Sequence, residues 1–414
     1  MDEFYEKKTE KTLYFIYNQV KVTAMLRYCR NCLYPETKQD LTFDEDGICS
    51  ACNYVKIKDT TNWESRRKQL EEILKEFRSK DGNNYDCIIP VSGGKDSHYQ
   101  TYVMKEEFGM NPLLVAFRPR EWTDLGRENL ENLKSKLNVD CIEFTPKREL
   151  YKQIQKVGFM ELGDASWPEH IGIFTVPVQI AVKFKIPLVI WGENNQLEYG
   201  GPEEDAKNPY QDISWHKKYG ESIYVKNQTS GYRSIEFMTK YGIDMKDLLP
   251  YVYPNDDEVL QVGVRGLYIG HFIKWDARKQ LEKMQKDYGF SVHDGPMEGT
   301  YTNFENLDNK GQGLHDYMKW IKFGYGRTTD HASIDIRHGR LTRDEGLELV
   351  KKHEGKIPEK YLDEYLDDFE LSREDFLKIV DKHANYDLFK KDQNGNLLRD
   401  DNGNLEKTNY DNIK

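Results

Sequence analysis

The stretch Ser92-Gly93-Gly94-Lys95-Asp96-Ser97 has the residue types for phosphate chemistry. An apolar run from Asp86 to Val91 precedes it, long enough for a buried strand and too short for a helix. The segment from Asp96 to Phe108 that follows can run as a helix. Strand, glycine turn and helix together aim free backbone N–H groups and the positive end of a helix dipole at one spot, which suits a phosphate or pyrophosphate. A Cβ in the turn would block the close approach of the anion, so glycine is required there. Lys95 can add a point charge and Asp96 can hold a magnesium ion; both are expected to face solvent. The spacing is neither that of a Walker A loop nor that of the dinucleotide GxGxxG turn.

A second group is Cys29-Arg30-Asn31-Cys32 and Cys49-Ser50-Ala51-Cys52, four of the six cysteines. C-x2-C, sixteen residues, C-x2-C is the spacing of a structural zinc ribbon, with Asp44-Glu45-Asp46-Gly47 as the turn between its strands. Four thiolates close the coordination sphere, so zinc there would stabilise the fold, by about 10–16 kcal/mol in small peptides, and leave no place for a substrate. Two disulfides and an iron–sulfur cluster are the alternatives. The remaining pair, Cys87 and Cys141, fall inside predicted strands and are expected to be inert apolar filling.

The elements that must position these groups alternate. Strands are predicted at Asp86–Val91, Pro112–Phe117, Cys141–Thr145, Pro187–Trp191 and Val264–Ile273. Helices are predicted over 62–80, Asp124–Leu137 (capped by Thr123 or Asp124), Glu149–Val157 and Pro168–Phe184. That alternation predicts an α/β fold with a doubly wound parallel sheet, whose ligand sits past the carboxyl ends of the strands. Three strand ends then share one rim: Ser92–Ser97, Phe117-Arg118 leading into Pro119-Arg120, and Trp191-Gly192-Glu193-Asn194. Phe117 and Arg118 are expected to meet adenine, Gly192 to allow close approach, and Glu193 and Asn194 to face the nucleotide or magnesium.

Five regions result: an extension over 1–24, the ribbon over 25–60, the nucleotide-binding domain over 61–275, a helical site wall over 276–355, and a helical segment with a hairpin tail over 356–414. An aromatic-rich insertion at about 196–260 is a candidate lid. Thr342-Arg343-Asp344-Glu345 reads as a capping box. In the tail, Asp392-Gln393-Asn394-Gly395-Asn396 and Asp400-Asp401-Asn402-Gly403-Asn404 read as hairpin turns, because their spacing fails the calcium-loop pattern.

The chain has 414 residues, enough for about two or three domains, and a net charge of −11, which disfavours a general nucleic-acid partner. No apolar run approaches the ~20 residues of a membrane span, and the first 24 residues lack the apolar core of a signal peptide. A cytoplasmic, soluble protein without membrane insertion is expected.

Ser-Gly-Gly-Lys-Asp-Ser resembles the pyrophosphate loop of the ATP pyrophosphatases, which transfer AMP to a carbonyl or carboxyl oxygen. Residues 25 to about 355 resemble the N-acetyl sugar amidotransferases, a branch of those enzymes. The resemblance is carried by the loop and four further motifs. These are Tyr28-Cys29-Arg30-Asn31-Cys32, Asp46-Gly47-Ile48-Cys49-Ser50-Ala51-Cys52, Trp191-Gly192-Glu193-Asn194 and Asp330-His331-Ala332-Ser333-Ile334-Asp335-Ile336-Arg337. It implies an enzyme using ATP and magnesium that turns an acetamido group of a bacterial surface sugar, of O-antigen or flagellar nonulosonic acid type, into an acetamidino group. Lys95 would neutralise the pyrophosphate, and His331 or Glu193 would take the proton from ammonia. Asp330, Asp335 and Arg337 are expected near the site. A tRNA-modifying enzyme of thiolase or lysidine type is the alternative. No cysteine is left for glutamine hydrolysis, so ammonia is expected from a separate glutaminase with a channel-bearing companion.

Overall fold

The computed structural model describes residues 26–118, 121–219 and 241–408. The 1–24 extension, Pro119-Arg120 and part of the expected lid, 220–240, lie outside them.

β1 (Cys87–Val91) and β2 (Pro112–Phe117) are buried at every position, which is why their sequences are continuous apolar runs instead of alternations. With β3 (Asp140–Phe144), β4 (Leu188–Trp191), β5 (Tyr210–Gln211) and β6 (Arg265–Tyr268) they form one sheet in the order β3-β2-β1-β4-β6-β5. All pairings are parallel except β5 with β6. The chain builds outward from β1 to β3, then returns to place β4 on the other side of β1. The order therefore reverses between β1 and β4, the switch point where such sheets take ligands. Pairing of β1 with β4 is confined to Ile88↔Val189. Pro90 has no N–H to extend that ladder, and the strands part beyond it.

Two short helices, α1 (Ser50–Thr60) and α2 (Trp63–Phe77), precede the sheet. Within it come α3 (Lys95–Tyr102), α4 (Asp124–Leu137), α5 (Arg148–Leu162), α6 (Trp167–Phe184), α7 (Asn195–Tyr199), α8 (Glu203–Lys207), α9 (Ile213–Tyr219) and α10 (Asp256–Val262). Leu70 of α2 and Leu130 and Leu133 of α4 pack with Ile89 and Leu114 on one face of the sheet. Ile154 of α5 and Ile171 and Val176 of α6 pack with Ile88, Leu113 and Val115 on the other. The period-two alternation of β1 and β2 divides the core between these layers.

After the sheet follow α11 (Ala277–Tyr288), α12 (Gln312–Phe323), α13 (Arg327–Arg337), α14 (Arg343–His353), α15 (Glu359–Phe369) and α16 (Arg373–His383). Trp320 of α12, Phe369 of α15 and Phe376 of α16 share a core with Phe159 of α5, so this helical region is fastened to the back of the sheet layer. Thr123 caps α4, and Thr342 with Glu345 forms the expected capping box of α14. The tail closes by single bridges, Lys391↔Leu397 and Arg399↔Leu405, around the two Asn-Gly turns.

Three details depart from the sequence reading. α3 stops at Tyr102 and the chain continues as a π turn over Val103–Glu107 instead of a helix to Phe108. The last strand ends at Tyr268, where a 3₁₀ turn, Ile269–His271, replaces the expected continuation to Ile273. The expected lid contributes β5, whose two residues are too few for any period to reveal. No helix among the described residues is long and apolar enough to cross a membrane.

Candidate active site

The phosphate loop is held by its own side chains. Ser97 Oγ accepts from the Ser92 N–H at 2.8 Å, and Ser92 Oγ accepts from the Gly94 N–H at 3.2 Å. The Gly93 N–H donates to Asp308 Oδ2 at 3.1 Å. A Cβ on Gly93 would lie 2.2 Å from the Gly126 carbonyl oxygen, and one on Gly126 would lie 2.6 Å from Asp308 Cα. Loop, α4 and the segment around Asp308 are thus stacked backbone on backbone, which only glycine permits.

Lys95 does not face solvent: it is 3% exposed, its Nζ 2.7 Å from Asp96 Oδ2 and 2.7 Å from Glu305 Oε1. The first residue of a helix directs its side chain back along the axis, here into the segment around Glu305, which the sequence alone does not bring near. Asp96 Oδ1 is buried with no hydrogen-bond partner. A hard cation such as magnesium fits that orphaned carboxylate oxygen.

A cavity of about 250 Å³ opens where β1 and β4 part, lined by Ser92, Asp96, Phe117, Phe174, Trp191 and Glu193 among others. Gly172 meets the Phe117 ring so closely that a Cβ would lie 2.4 Å from it. Five polar side-chain atoms of the lining are buried without a partner: Asp96 Oδ1, Gln100 Oε1, Trp191 Nε1, and both Nε2 and Oε1 of Gln211. Buried polar groups are ordinarily satisfied, so a concave wall of orphaned donors and acceptors is one shaped for a polar ligand. Sequence reasoning missed Gln100 and Gln211. A glutamine has no motif, and Gln211 arrives on the two-residue strand β5.

Burial, then the Asp96 carboxylate, pushes the Glu193 carboxyl up to about 8. Burial also raises Glu305. Gly192 lines the cavity, with Trp275 packed 3.0 Å from where its Cβ would be. Asn194, expected to face the nucleotide, instead commits its side chain to the fold. It accepts from the Gln196 and Leu197 N–H groups as the cap of α7 and donates to the Asp205 and Asn208 carbonyls. The cavity is lined by its neighbour Asn195. Arg118 turns outward to Glu143, 2.7 Å away, and lies over the Trp122 ring.

None of Asp330, His331, Asp335 and Arg337 lines that cavity. His331 Nδ1 shares hydrogen bonds with Thr300 Oγ1 at 2.7 Å and Thr302 Oγ1 at 3.2 Å, and burial, helped by Arg327, pulls its pKa down to about 3. Asp330 accepts from Tyr34 Oη and pairs with Lys319. Asp335 gathers Arg278, Tyr301 and Arg340. These residues knit α13 to its surroundings.

The four cysteines converge, with Cys29 and Cys52 Sγ 3.8 Å apart and Cys32 and Cys49 Sγ 3.6 Å apart, all four buried. The expected ribbon strands are reduced to the single bridges Tyr28↔Pro35 and Phe43↔Cys49. N–H groups of Asn31, Cys32 and Cys49 point at Cys29 Sγ, and Asn31 Nδ2 at Cys52 Sγ. Donors aimed at sulfur fit thiolates, and the set could hold zinc or an iron–sulfur cluster. Arg337 stacks over Tyr34 and donates to the Glu198 carbonyl at 2.9 Å, its cation facing the cysteines. Arg343 donates to the Cys29 and Cys32 carbonyls, so α13 and α14 both brace this site.

Fold and loop define a doubly wound α/β protein with a glycine-turn loop, suited to phosphate, at its switch point. Residues 298–400, which supply Glu305 and Asp308, match the family model of the LPS biosynthesis protein WbpG-like C-terminal domain. That match is confined to the C-terminal part of the chain and agrees with the lipopolysaccharide side of the resemblance drawn from the sequence. An uncharacterized protein of Methanocaldococcus jannaschii, MJ1599, is 34% identical over 115 residues, or 28% of this chain. The chain spans 41% of that relative's length. Among solved structures, NMN synthetase from Francisella tularensis is 11% identical, with a TM-score of 0.28, over 68% of this chain and 94% of its own. The U34-tRNA thiolase NcsA from Methanococcus maripaludis, with its 4Fe–4S cluster, is 12% identical, with a TM-score of 0.23, over 80% of this chain and 89% of its own.

Proposed function

We propose that this chain is an ATP-dependent, AMP- and pyrophosphate-forming amidotransferase acting on the acetamido group of a bacterial surface sugar. The observation that carries the reading is the junction at Lys95. A phosphate loop and a cavity with orphaned polar walls meet, through Glu305 and Asp308, the region that matches a lipopolysaccharide-biosynthesis domain.

An amide carbonyl resists ammonia because oxide is a very poor leaving group. Transfer of AMP to that oxygen, with pyrophosphate departing, gives an O-adenylyl imidate. Ammonia adds to its carbon, AMP leaves with the oxygen, and an amidine remains. The chain's part is placement and charge stabilisation. Gln100, Trp191 and Gln211 would hold the nucleoside, and the Ser92–Ser97 loop the departing pyrophosphate. Lys95, released from its carboxylates, would meet the phosphates. Magnesium, held by Asp96, would supply charge neutralisation there. Glu193, in the cavity wall, is the better placed acceptor for the proton of ammonia, because the His331 Nδ1 is already engaged by two threonines. Zinc in the four-thiolate site would be structural.

The test is to incubate the chain with ATP, magnesium, an ammonium salt and a panel of acetamido sugars. Pyrophosphate release and a product in which NH replaces carbonyl oxygen by mass are expected. Binding of tRNA with a steep salt dependence, and no sugar product, would overturn the reading.

A further inference from the structure

Asp164, His170 and His315 come from three separate stretches, yet one ligating atom from each lies within 4.8 Å of the others. Asp164 follows the end of α5, where its N–H is tied to the Gly158 carbonyl at 3.1 Å. His170 lies in the first turns of α6, and His315 in the first turns of α12. Asp164 Oδ1 accepts from the Ser166 N–H at 3.0 Å and lies 2.9 Å from His315 Nδ1. The His170 and His315 rings stand perpendicular, at 89°, with centroids 4.9 Å apart. The Asp164 and His315 side chains are 14% and 19% exposed, so the cluster is neither sealed nor spread over the surface.

We propose that Asp164, His170 and His315 form a second metal site, distinct from the cysteine site, that takes a divalent first-row transition ion. Two imidazoles and one carboxylate are a borderline donor set that suits zinc or ferrous iron and does not suit calcium or magnesium, which want oxygen alone. Ligands about 2.0–2.1 Å from a tetrahedral ion lie about 3.3 Å from one another. The Asp164–His315 pair needs to open by only a few tenths of an ångström, and His170 to swing in by somewhat more. The ion would replace the hydrogen bond between Asp164 and His315. Three protein ligands leave a position for water, unlike the closed four-thiolate site.

The site spans a junction. Ile173, Phe174 and Pro177, the turns of α6 beyond His170, line the nucleotide cavity. Glu169, beside His170, bonds Asn309, the neighbour of the Asp308 that holds Gly93. His315 belongs to the WbpG-like region. An ion here would clamp that region to the cavity wall, and this holds whatever reaction the cavity performs.

The experiment is calorimetric titration of zinc into the purified full chain, washed with a mild chelator that leaves the cysteine site filled. A binding event is expected in wild type, weakened at least about tenfold in His170→Gln and in His315→Gln and unchanged in Cys87→Ser. His170→Gln, at a partly exposed position, keeps the test open if His315→Gln fails to fold. No zinc binding by wild type, or equal binding by folded His170→Gln, would reduce the cluster to a plain Asp164–His315 hydrogen bond and overturn the proposal.

Discussion

The Lys95 ammonium and the Glu305 carboxylate, 2.7 Å apart, join the phosphate loop to the region that matches the WbpG-like domain. Without nucleotide the lysine is neutralised by carboxylates of the chain itself, and triphosphate must compete with them. Glu305→Gln removes one competitor and one charge that repels phosphate. ATP binding is expected to tighten several-fold in that variant while sugar turnover falls. Weaker ATP binding would show that Glu305 supports the nucleotide. Lys95→Ala should abolish pyrophosphate release. It should also destabilise the chain, because it leaves the half-buried Glu305 carboxylate without its partner. Asp96→Ala should abolish turnover with a smaller loss of stability, its side chain being more exposed.

Gln211 offers a buried donor and acceptor, both unpartnered, to the cavity. If they read the base edge, Gln211→Leu should weaken ATP by about 1–3 kcal/mol, the cost of an unmade hydrogen bond, and blur the preference for ATP over GTP. Equal loss of both nucleotides in competition binding would leave Gln211 a wall residue only.

Much of this site was legible beforehand. The loop, the sheet and the cysteine convergence follow from local signals: a glycine break after an apolar run, alternating strand and helix lengths, and C-x2-C spacing. What the sequence concealed is long-range. Lys95 meets Glu305 across 210 positions, so a lysine expected in solvent is buried. Asn194 sits beside Gly192 and Glu193, and sequence proximity suggested one shared role. The helix that starts at Asn195 needs a cap, and Asn194 supplies it instead of reaching the ligand. The DHASIDIR segment reads as a site wall, yet its carboxylates pair with Lys319, Arg278 and Arg340, and its Arg337 braces the cysteine region.

Stability should depend on pH through the buried carboxyls. Glu193 and Glu169 are pushed up to about 8 and Glu354 to about 7, each chiefly by burial. In the unfolded chain such groups ionise near 4.3. Between those values the unfolded state has lost protons that the folded state still holds, so stability is present below about 4.3 and lost as pH rises toward about 8. The melting temperature of the nucleotide-free chain is expected to fall over that interval, and Glu193→Gln to flatten the fall. A flat profile in wild type would contradict the burial of these groups.

The cysteine site should carry about one zinc ion per chain, and Cys29→Ser or Cys52→Ser should lower solubility more than catalysis, since the site has no open position. Arg337→Gln should weaken the metal, because the guanidinium offsets thiolate charge. Elemental analysis finding iron with acid-labile sulfide would replace zinc with a cluster.

The last prediction concerns the source of ammonia. A chain that hydrolyses glutamine through a thiol needs an exposed, activated thiolate beside a base. Four cysteines converge on one cluster that could hold a metal ion. Cys87 is fully buried in β1, and burial pushes its thiol well above the ordinary range. Cys141 lies in β3, its thiol pushed up to about 12 by burial and then by Glu143. Neither has a histidine hydrogen-bonded to it among the described residues, and neither sits on a glycine elbow. The purified chain should therefore form amidine with ammonium salts, faster as pH rises and free ammonia accumulates, and form little with glutamine alone. In the cell a separate glutaminase with a channel-bearing companion would dock and deliver ammonia, and adding such a pair in vitro should restore glutamine dependence at neutral pH. Glutamine-driven amidine formation by the pure chain, persisting in Cys87→Ser and Cys141→Ser, would mean that another nucleophile does this work.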